Sequence, residues 1–355
     1  MLALGSLLAA CGQATEAAPL TGGQTERPAP GLTRVAQPRY APTDFQAGVM
    51  VLVYGNDPAF AAKSAALLDR LARLGVNSVG FVFPIFQHGP TATDVFAHDT
   101  ITPTDTNINT FLAQAHRRGF TVMMRPLLDE ESAPFSGNWR GSIKPADRTA
   151  WWQSYNRIIL RYAQLAEADG ASIFDVGTEM TTMQGDTAQW VSLVKAIRPV
   201  FKGQLTYSTN WDQHFPAFGS ALDFIAFDAW YPLQVAAGAD PVPAVQSAWK
   251  PWLDQVHKDA VRFGKPAIFT ELGIASQRGA LSQPWAQLTN VPADNEVQRA
   301  YYAGTCAAVK GAVSGLYWWD FELNPPGEND TGFVPQGKPA ELEVGRCFAQ
   351  PGIPN

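Results

Sequence analysis

Eight short runs of nearly continuous apolar residues punctuate this chain, and most are followed by a longer stretch with helical spacing. The runs lie at 48–54, 76–83, 120–126, 172–176, 204–208, 223–227, 266–269 and 315–318. The amphipathic stretches lie at 61–74, 106–118, 147–168, 188–200, 242–263 and 295–313. In the first of these, Ala65, Leu68, Leu71 and Ala72 share one face and Gly75 ends it. Gly119 ends the second, and Asp147 is placed to cap the start of the third. A strand that is apolar throughout is buried on both faces, which calls for a parallel sheet covered by helices. Eight such units fit the α/β class as a closed (β/α)8 TIM barrel. An open doubly wound sheet would carry a glycine-rich phosphate loop after its first strand. Tyr54-Gly55-Asn56-Asp57-Pro58 stands there instead.

The chain has 355 residues, 46% of them hydrophobic, enough for one large core. A barrel takes about 250 residues, so a single catalytic domain over 45–350 is expected. Residues 12–44 are rich in Ala, Pro, Thr, Gly and Gln without periodicity and read as a flexible linker. Ahead of it, Met1 to Ala10 is apolar and ends in Leu8-Ala9-Ala10-Cys11. That ending resembles a bacterial lipobox, with Cys11 as the lipidation site after a signal peptide over 1–11. The usual basic n-region is missing, and the apolar run is about half the ~20 residues of a membrane span. An exported, lipid-anchored or secreted protein of the bacterial cell envelope is expected. Export permits disulfides, and Cys306 and Cys347 can pair or remain two buried thiols. The net charge of −6 makes a polyanion such as nucleic acid a poor partner.

In a barrel of this kind the chemistry sits at the C-terminal ends of the strands. The third run ends in Arg125, with Asp129, Glu130 and Glu131 beyond it. The fourth ends in Gly177-Thr178-Glu179-Met180 and the fifth in Asn210-Trp211-Asp212. The sixth ends in Asp228-Ala229-Trp230-Tyr231, the seventh in Thr270-Glu271-Leu272-Gly273, and the eighth in Trp318-Trp319-Asp320-Phe321-Glu322. Glu179 and Glu271 each follow an apolar strand directly, on strands that lie across the barrel from each other. Two carboxyls facing over a bound substrate are what glycoside hydrolysis requires, one to protonate the leaving oxygen and one to attack or to activate water. Either glutamate alone could instead be an ion-pair partner of a strand-end arginine such as Arg125. Eleven Trp and nine Tyr supply rings on which pyranose faces can stack. No HExxH or Cys/His ligand cluster suggests a zinc site, and no GxSxG elbow or Walker loop is present.

These residues resemble clan A of the glycoside hydrolases, and more narrowly family 113, whose characterised activity is β-mannan cleavage. The stretches that carry the resemblance begin with Trp139-Arg140-Gly141-Ser142-Ile143, Phe174-Asp175-Val176-Gly177-Thr178-Glu179-Met180 and Leu205-Thr206-Tyr207-Ser208-Thr209-Asn210-Trp211. They continue with Asp228-Ala229-Trp230-Tyr231-Pro232-Leu233, Thr270-Glu271-Leu272-Gly273, Tyr317-Trp318-Trp319-Asp320 and Gly337-Lys338-Pro339-Ala340. Together they span roughly residues 45–345. The resemblance implies that Glu179 is the acid/base and Glu271 the nucleophile, with net retention and no cofactor or metal. It implies an aromatic floor for the reacting sugar at Trp318, and an aromatic support for the nucleophile at Tyr231 or Trp230, of which only Tyr offers a hydroxyl. Arg125 and a Tyr hydroxyl would keep Glu271 charged. Trp139 and Arg140, on a long loop, would bind distal sugars, and Tyr207, Asn210, Trp211 and Asp228 complete the expected substrate contacts. The sequence departs from the clan at Thr178, where Asn usually contacts the sugar 2-hydroxyl. It departs from the family at Arg125-Pro126-Leu127-Leu128-Asp129, where His or Lys is common.

The expected reaction is therefore double displacement on β-1,4-mannan or a related β-linked polysaccharide. An exo-acting β-mannosidase, another β-glycanase, and a non-catalytic glycan-binding lipoprotein are the alternatives. The expected partners are a polysaccharide or oligosaccharide and, through the anchor only, a membrane, with the protein a monomer.

Overall fold

The structure is a computed structural model that describes residues 45–131, 139–236, 238–327 and 329–349. The lipobox with Cys11 and the 12–44 linker lie outside the described residues. Eight parallel strands close on themselves in sequence order. They are β1 (Gln46–Leu52), β2 (Ser78–Gln87), β3 (Thr121–Glu130), β4 (Ile173–Thr178), β5 (Gln204–Asn210), β6 (Ile225–Asp228), β7 (Ala267–Leu272) and β8 (Gly315–Phe321). The helices around them are α1 (Phe60–Arg73), α2 (Asp105–Arg117), α3 (Arg148–Asp169), α4 (Thr187–Ile197), α5 (Pro241–Ala248), α6 (Lys250–Phe263), α7 (Asn295–Val309) and α8 (Pro339–Phe348). The expected (β/α)8 barrel is what forms.

Local chemistry places the boundaries. The Asp147 carboxylate accepts the Ala150 N–H at 3.0 Å, capping α3, and Gly170 leaves α3 through a left-handed conformation at φ 79°. The single helix expected over 242–263 is two, because Pro251 lacks an amide hydrogen and sits in the first turn of α6, where none is needed. Strands β5 and β6 are joined by a short 3-10 turn, Ala217–Ala221, rather than a helix. Cys306 on α7 and Cys347 on α8 are joined by a disulfide, with Cα atoms 5.8 Å apart.

Two apolar layers divide the core. The barrel interior is filled by Met50, Val82, Met123, Leu127, Ile173, Phe224, Ala226, Ile268 and Tyr317. Gly80 has no side chain because the Met50 sulfur occupies the place where a Cβ would sit, 2.0 Å away. The second, larger layer lies between strands and helices. Along β6 the alternation is clean: Phe224 and Ala226 face the interior, and Ile225 and Phe227 face the helices.

Candidate active site

Three strands break this alternation at their C-terminal ends. Each carries one extra residue relative to a neighbour: β4 between Asp175 and Thr178, β7 between Phe269 and Leu272, and β8 between Trp318 and Phe321. Bulges of this type re-aim side chains beside active sites. Here they lie beside Glu179, Glu271 and Asp320 at the barrel mouth. Glu179 also sits at φ 50°, in the left-handed region that a residue with a Cβ rarely adopts. Its amide is held there by a 2.8 Å bond to the Ser208 carbonyl.

The two glutamates have different surroundings. Glu271 Oε1 lies 2.8 Å from Arg125 Nη2, and its Oε2 accepts the Trp230 indole N–H at 3.0 Å. Glu271 thus accepts from two donors, one of them cationic. Glu179 is buried, and its one charged partner is Arg140, whose Nη1 donates to Oε2 at 3.0 Å. Burial and the Glu271 charge raise the Glu179 pKa to about 7, against the opposing pull of Arg140 and Arg125. A carboxyl whose proton is held more tightly thus stands beside another that two donors hold, the contrast a glycosidase needs.

Arg125 is the hub beneath the mouth. Fully buried, it meets Asp228 at 2.7 Å and Asp175 at 3.3 Å as well as Glu271. Its Nε donates to Thr178 Oγ1 at 3.1 Å. Three carboxyls around one guanidinium carry more negative than positive charge. Burial accordingly pushes the Asp175 pKa up to about 6 and that of Asp228 well above the usual range, with Arg125 opposing both. The Ser208 hydroxyl donates to Asp175 and the Thr270 hydroxyl to Asp228, at 2.5 and 2.9 Å.

Several expected contacts fall elsewhere. Trp318 is fully buried on the helix side of β8, stacked on Tyr302 at 4.2 Å, and cannot floor a sugar site. The half-buried ring at that end of the barrel is Trp319, which packs on the interior layer with Leu52 and stands edge-on to Trp230 at 6.5 Å. Tyr231 also faces the helices, stacked on Trp252 at 4.8 Å with no partner for its hydroxyl among the described residues, so of the two aromatics it is Trp230 that reaches Glu271. Tyr207 lies on the outer face of β5, where its hydroxyl accepts the Met180 N–H at 2.9 Å and steadies the turn after Glu179. Arg125 and Asp228 are enclosed beneath the carboxylates rather than exposed to substrate. Arg140 is drawn to Glu179 and to Asp129, 2.6 Å away, and so sits at the reacting centre rather than at a distal sugar.

Other expected contacts do line the rim. Trp211 stacks on Trp285 at 4.9 Å. The Asn210 amide is spent on Asp212 at 3.0 Å. The Trp139 ring, partly exposed, lies over Gly141. Tyr54, at the end of β1, was not among the expected contacts, and neither were Trp319 and Asp320. Tyr54 is 44% exposed overall, yet its hydroxyl end is close enough to Asp129, Arg140 and Asp320 to feel their charges, and desolvation there raises its pKa. Among the described residues no group of three or more His, Cys, Asp or Glu is placed to hold a metal ion.

The sequence profile described as Glycoside Hydrolase Family 113 matches residues 54–338. The chain belongs to this family. No curated protein matches it. Among solved structures, the family 113 β-mannanase of Alicyclobacillus acidocaldarius, in complex with ManMIm, superimposes with a TM-score of 0.76 at 24% identity, covering 86% of this chain and 97% of that one. Another family 113 β-1,4-mannanase gives 0.76 at 22% identity over 86% and 99%. A family 5 mannosidase from Rhizomucor miehei gives 0.55 at 12% identity over 86% and 92%. These similarities place the barrel of this family 113 glycoside hydrolase among known folds.

Proposed function

We propose that this family 113 hydrolase cleaves β-1,4-linked mannan with retention of anomeric configuration. The observation that carries the reading is the contrasted pair, Glu271 held by Arg125 and Trp230 and Glu179 buried against its negative charge. A Glu271 oxygen attacks the anomeric carbon as Glu179 gives its proton to the departing glycosidic oxygen. The ester leaves Glu271 uncharged. The repulsion that raised the Glu179 pKa then vanishes, Arg140 still favours the anion, and Glu179 becomes the base that takes a proton from water. That water attacks the anomeric carbon, releasing the sugar and regenerating both carboxyls. Trp319 is the floor on which the reacting ring stacks. Mannan is favoured because the family 113 β-mannanases superimpose over almost their whole length.

The test is hydrolysis of mannan, glucomannan, xylan and β-glucan by wild type, Glu179→Ala and Glu271→Ala, with NMR of the first-formed anomer. Release of β-configured products from mannan by wild type alone is expected. Equal product from all three proteins would leave a glycan-binding protein, and an α-configured first product would remove the double displacement. We also propose that lipid on Cys11 tethers the enzyme to a bacterial envelope membrane. Cys11→Ala should abolish labelling by an alkynyl fatty acid and move the protein out of the membrane fraction.

A further inference from the structure

Asp320 is a carboxyl at the mouth that the mechanism above does not use. It is 4% exposed, no side chain among the described residues hydrogen-bonds to it, and Lys338 and Tyr302 feel its charge. The buried carboxyls nearby all have partners: Asp175 and Asp228 have Arg125 and a hydroxyl, Glu271 has Arg125 and Trp230, and Glu179 has Arg140. A nearly enclosed carboxyl that no side chain completes keeps its oxygens open to the mouth, where a ligand hydroxyl can complete them. The extra residue on β8 sets its direction. Trp318 and Phe321 both pack against the helices, so alternation puts Trp319 inside and the extra residue before Phe321 is what frees Asp320 from the helix side. Trp319 packs on the interior layer, and Asp320, which feels the charges of Glu322, Glu271 and Asp330, is its neighbour. Tyr54, two residues past the adjoining strand β1, feels Asp320 in turn.

Barrel order says which sugar this group would meet. The leaving oxygen must lie at Glu179 on β4, and the attacked carbon at Glu271 on β7. The sugar that owns that carbon, and those before it, extend away from β4, over β8 and β1. Thr178, at the position where the clan usually offers an amide to the sugar, is turned to Arg125 instead. The glycone hydroxyls therefore lack a contact from the β4 side, while an acceptor waits on β8.

We propose that Asp320 is a substrate-binding residue that accepts hydrogen bonds from hydroxyls of the glycone sugar, with the Tyr54 hydroxyl beside it. The assignment rests on the retaining mannanase reading. Its test is the hydrolysis of 4-nitrophenyl β-mannobioside and its monodeoxy analogues by wild type, Asp320→Asn and Asp320→Ala, with thermal midpoints and pH profiles measured in parallel. Removing a hydrogen bond to a charged group predicts a fall in kcat/KM of about tenfold to a hundredfold for Asp320→Ala. That penalty should shrink to nearly nothing on the one analogue that already lacks the contacted hydroxyl. Asp320→Asn, which keeps the shape and one acceptor, should show the same coupling at the same hydroxyl. Equal penalties on every analogue, or a displaced pH optimum with kcat/KM at the optimum unchanged, would overturn the assignment while wild-type turnover kept the hydrolase reading intact. A wild type inert toward every glycan and glycoside would overturn both.

Discussion

The indole N–H of Trp230 points at Glu271 Oε2 from 3.0 Å, while the neighbouring Tyr231 turns its back on the site and stacks on Trp252. Strand parity decides between the two aromatics, since β6 sends 228 and 230 inward and 229 and 231 toward the helices. Hydrogen bonds to a charged group contribute roughly 1.5–3 kcal/mol. Trp230→Phe should therefore lower kcat/KM by about one to two orders of magnitude. Tyr231→Phe removes a buried hydroxyl that has no partner and should leave both kcat/KM and the thermal midpoint at or slightly above wild type. Steady-state kinetics on a soluble mannooligosaccharide and a melting curve check both. Inactivation by Tyr231→Phe with Trp230→Phe unaffected would reverse the roles drawn here.

Arg140 predicts the direction of a pH shift. Glu179 must carry its proton when the glycosidic bond breaks, so activity should fall as pH rises through about 7, where burial and the Glu271 charge place its pKa. Arg140 stabilises the Glu179 anion and so holds that value down. Arg140→Met should move the alkaline limb of the kcat/KM profile to higher pH. An alkaline limb displaced to lower pH would show that Arg140 does not act through Glu179.

How much of this was legible in the chain follows from which signals are periodic. Continuous apolar runs and helical spacing carried the barrel and its strand order, and strand-end position singled out Glu179 and Glu271. Parity at the strand ends was not legible, because a bulge adds one residue without a sequence mark and reverses every side chain after it. The Trp318 misplacement is a plainer one, of strand parity: the bulge follows Trp318, and ordinary alternation already turns Tyr317 and Trp319 inward and Trp318 to the helices. The interior role of Arg125 had a signal, a lone arginine inside an apolar strand, since such a charge needs buried acids to meet it. The capture of Arg140 by Glu179 had none, because it depends on how the loop after β3 folds back.

The Cys306–Cys347 bond closes a loop with a sequence separation of 41 and fastens α8 to α7 on the outside of the barrel. Neither helix supplies a residue to the mouth. Disulfides of this kind stabilise by about 2–4 kcal/mol. The double variant Cys306→Ala/Cys347→Ala should lose roughly that amount in urea unfolding and keep wild-type kcat and KM at 25 °C. A large loss of activity in protein that is still folded would mean that the C-terminal helix positions the site after all.

Trp318 and Trp319 are adjacent and chemically identical, so they separate packing from function. Trp318 is enclosed by Tyr302, Tyr301 and the outer core. Its truncation leaves a large cavity between strand and helix, and a buried Trp→Ala change costs about 3–5 kcal/mol. Trp319 is half-buried, with the interior layer below it and the mouth above, so Trp319→Ala removes less packing but takes away the surface on which a sugar ring rests. The expected pattern is crossed. Trp318→Ala should unfold at markedly lower denaturant, while the molecules still folded turn over normally. Trp319→Ala should keep most of its stability and lose mannooligosaccharide affinity and kcat together. Denaturation curves and titration calorimetry on the same preparations read both axes. The two assignments exchange places only if the stability loss falls on Trp319 and the binding loss on Trp318.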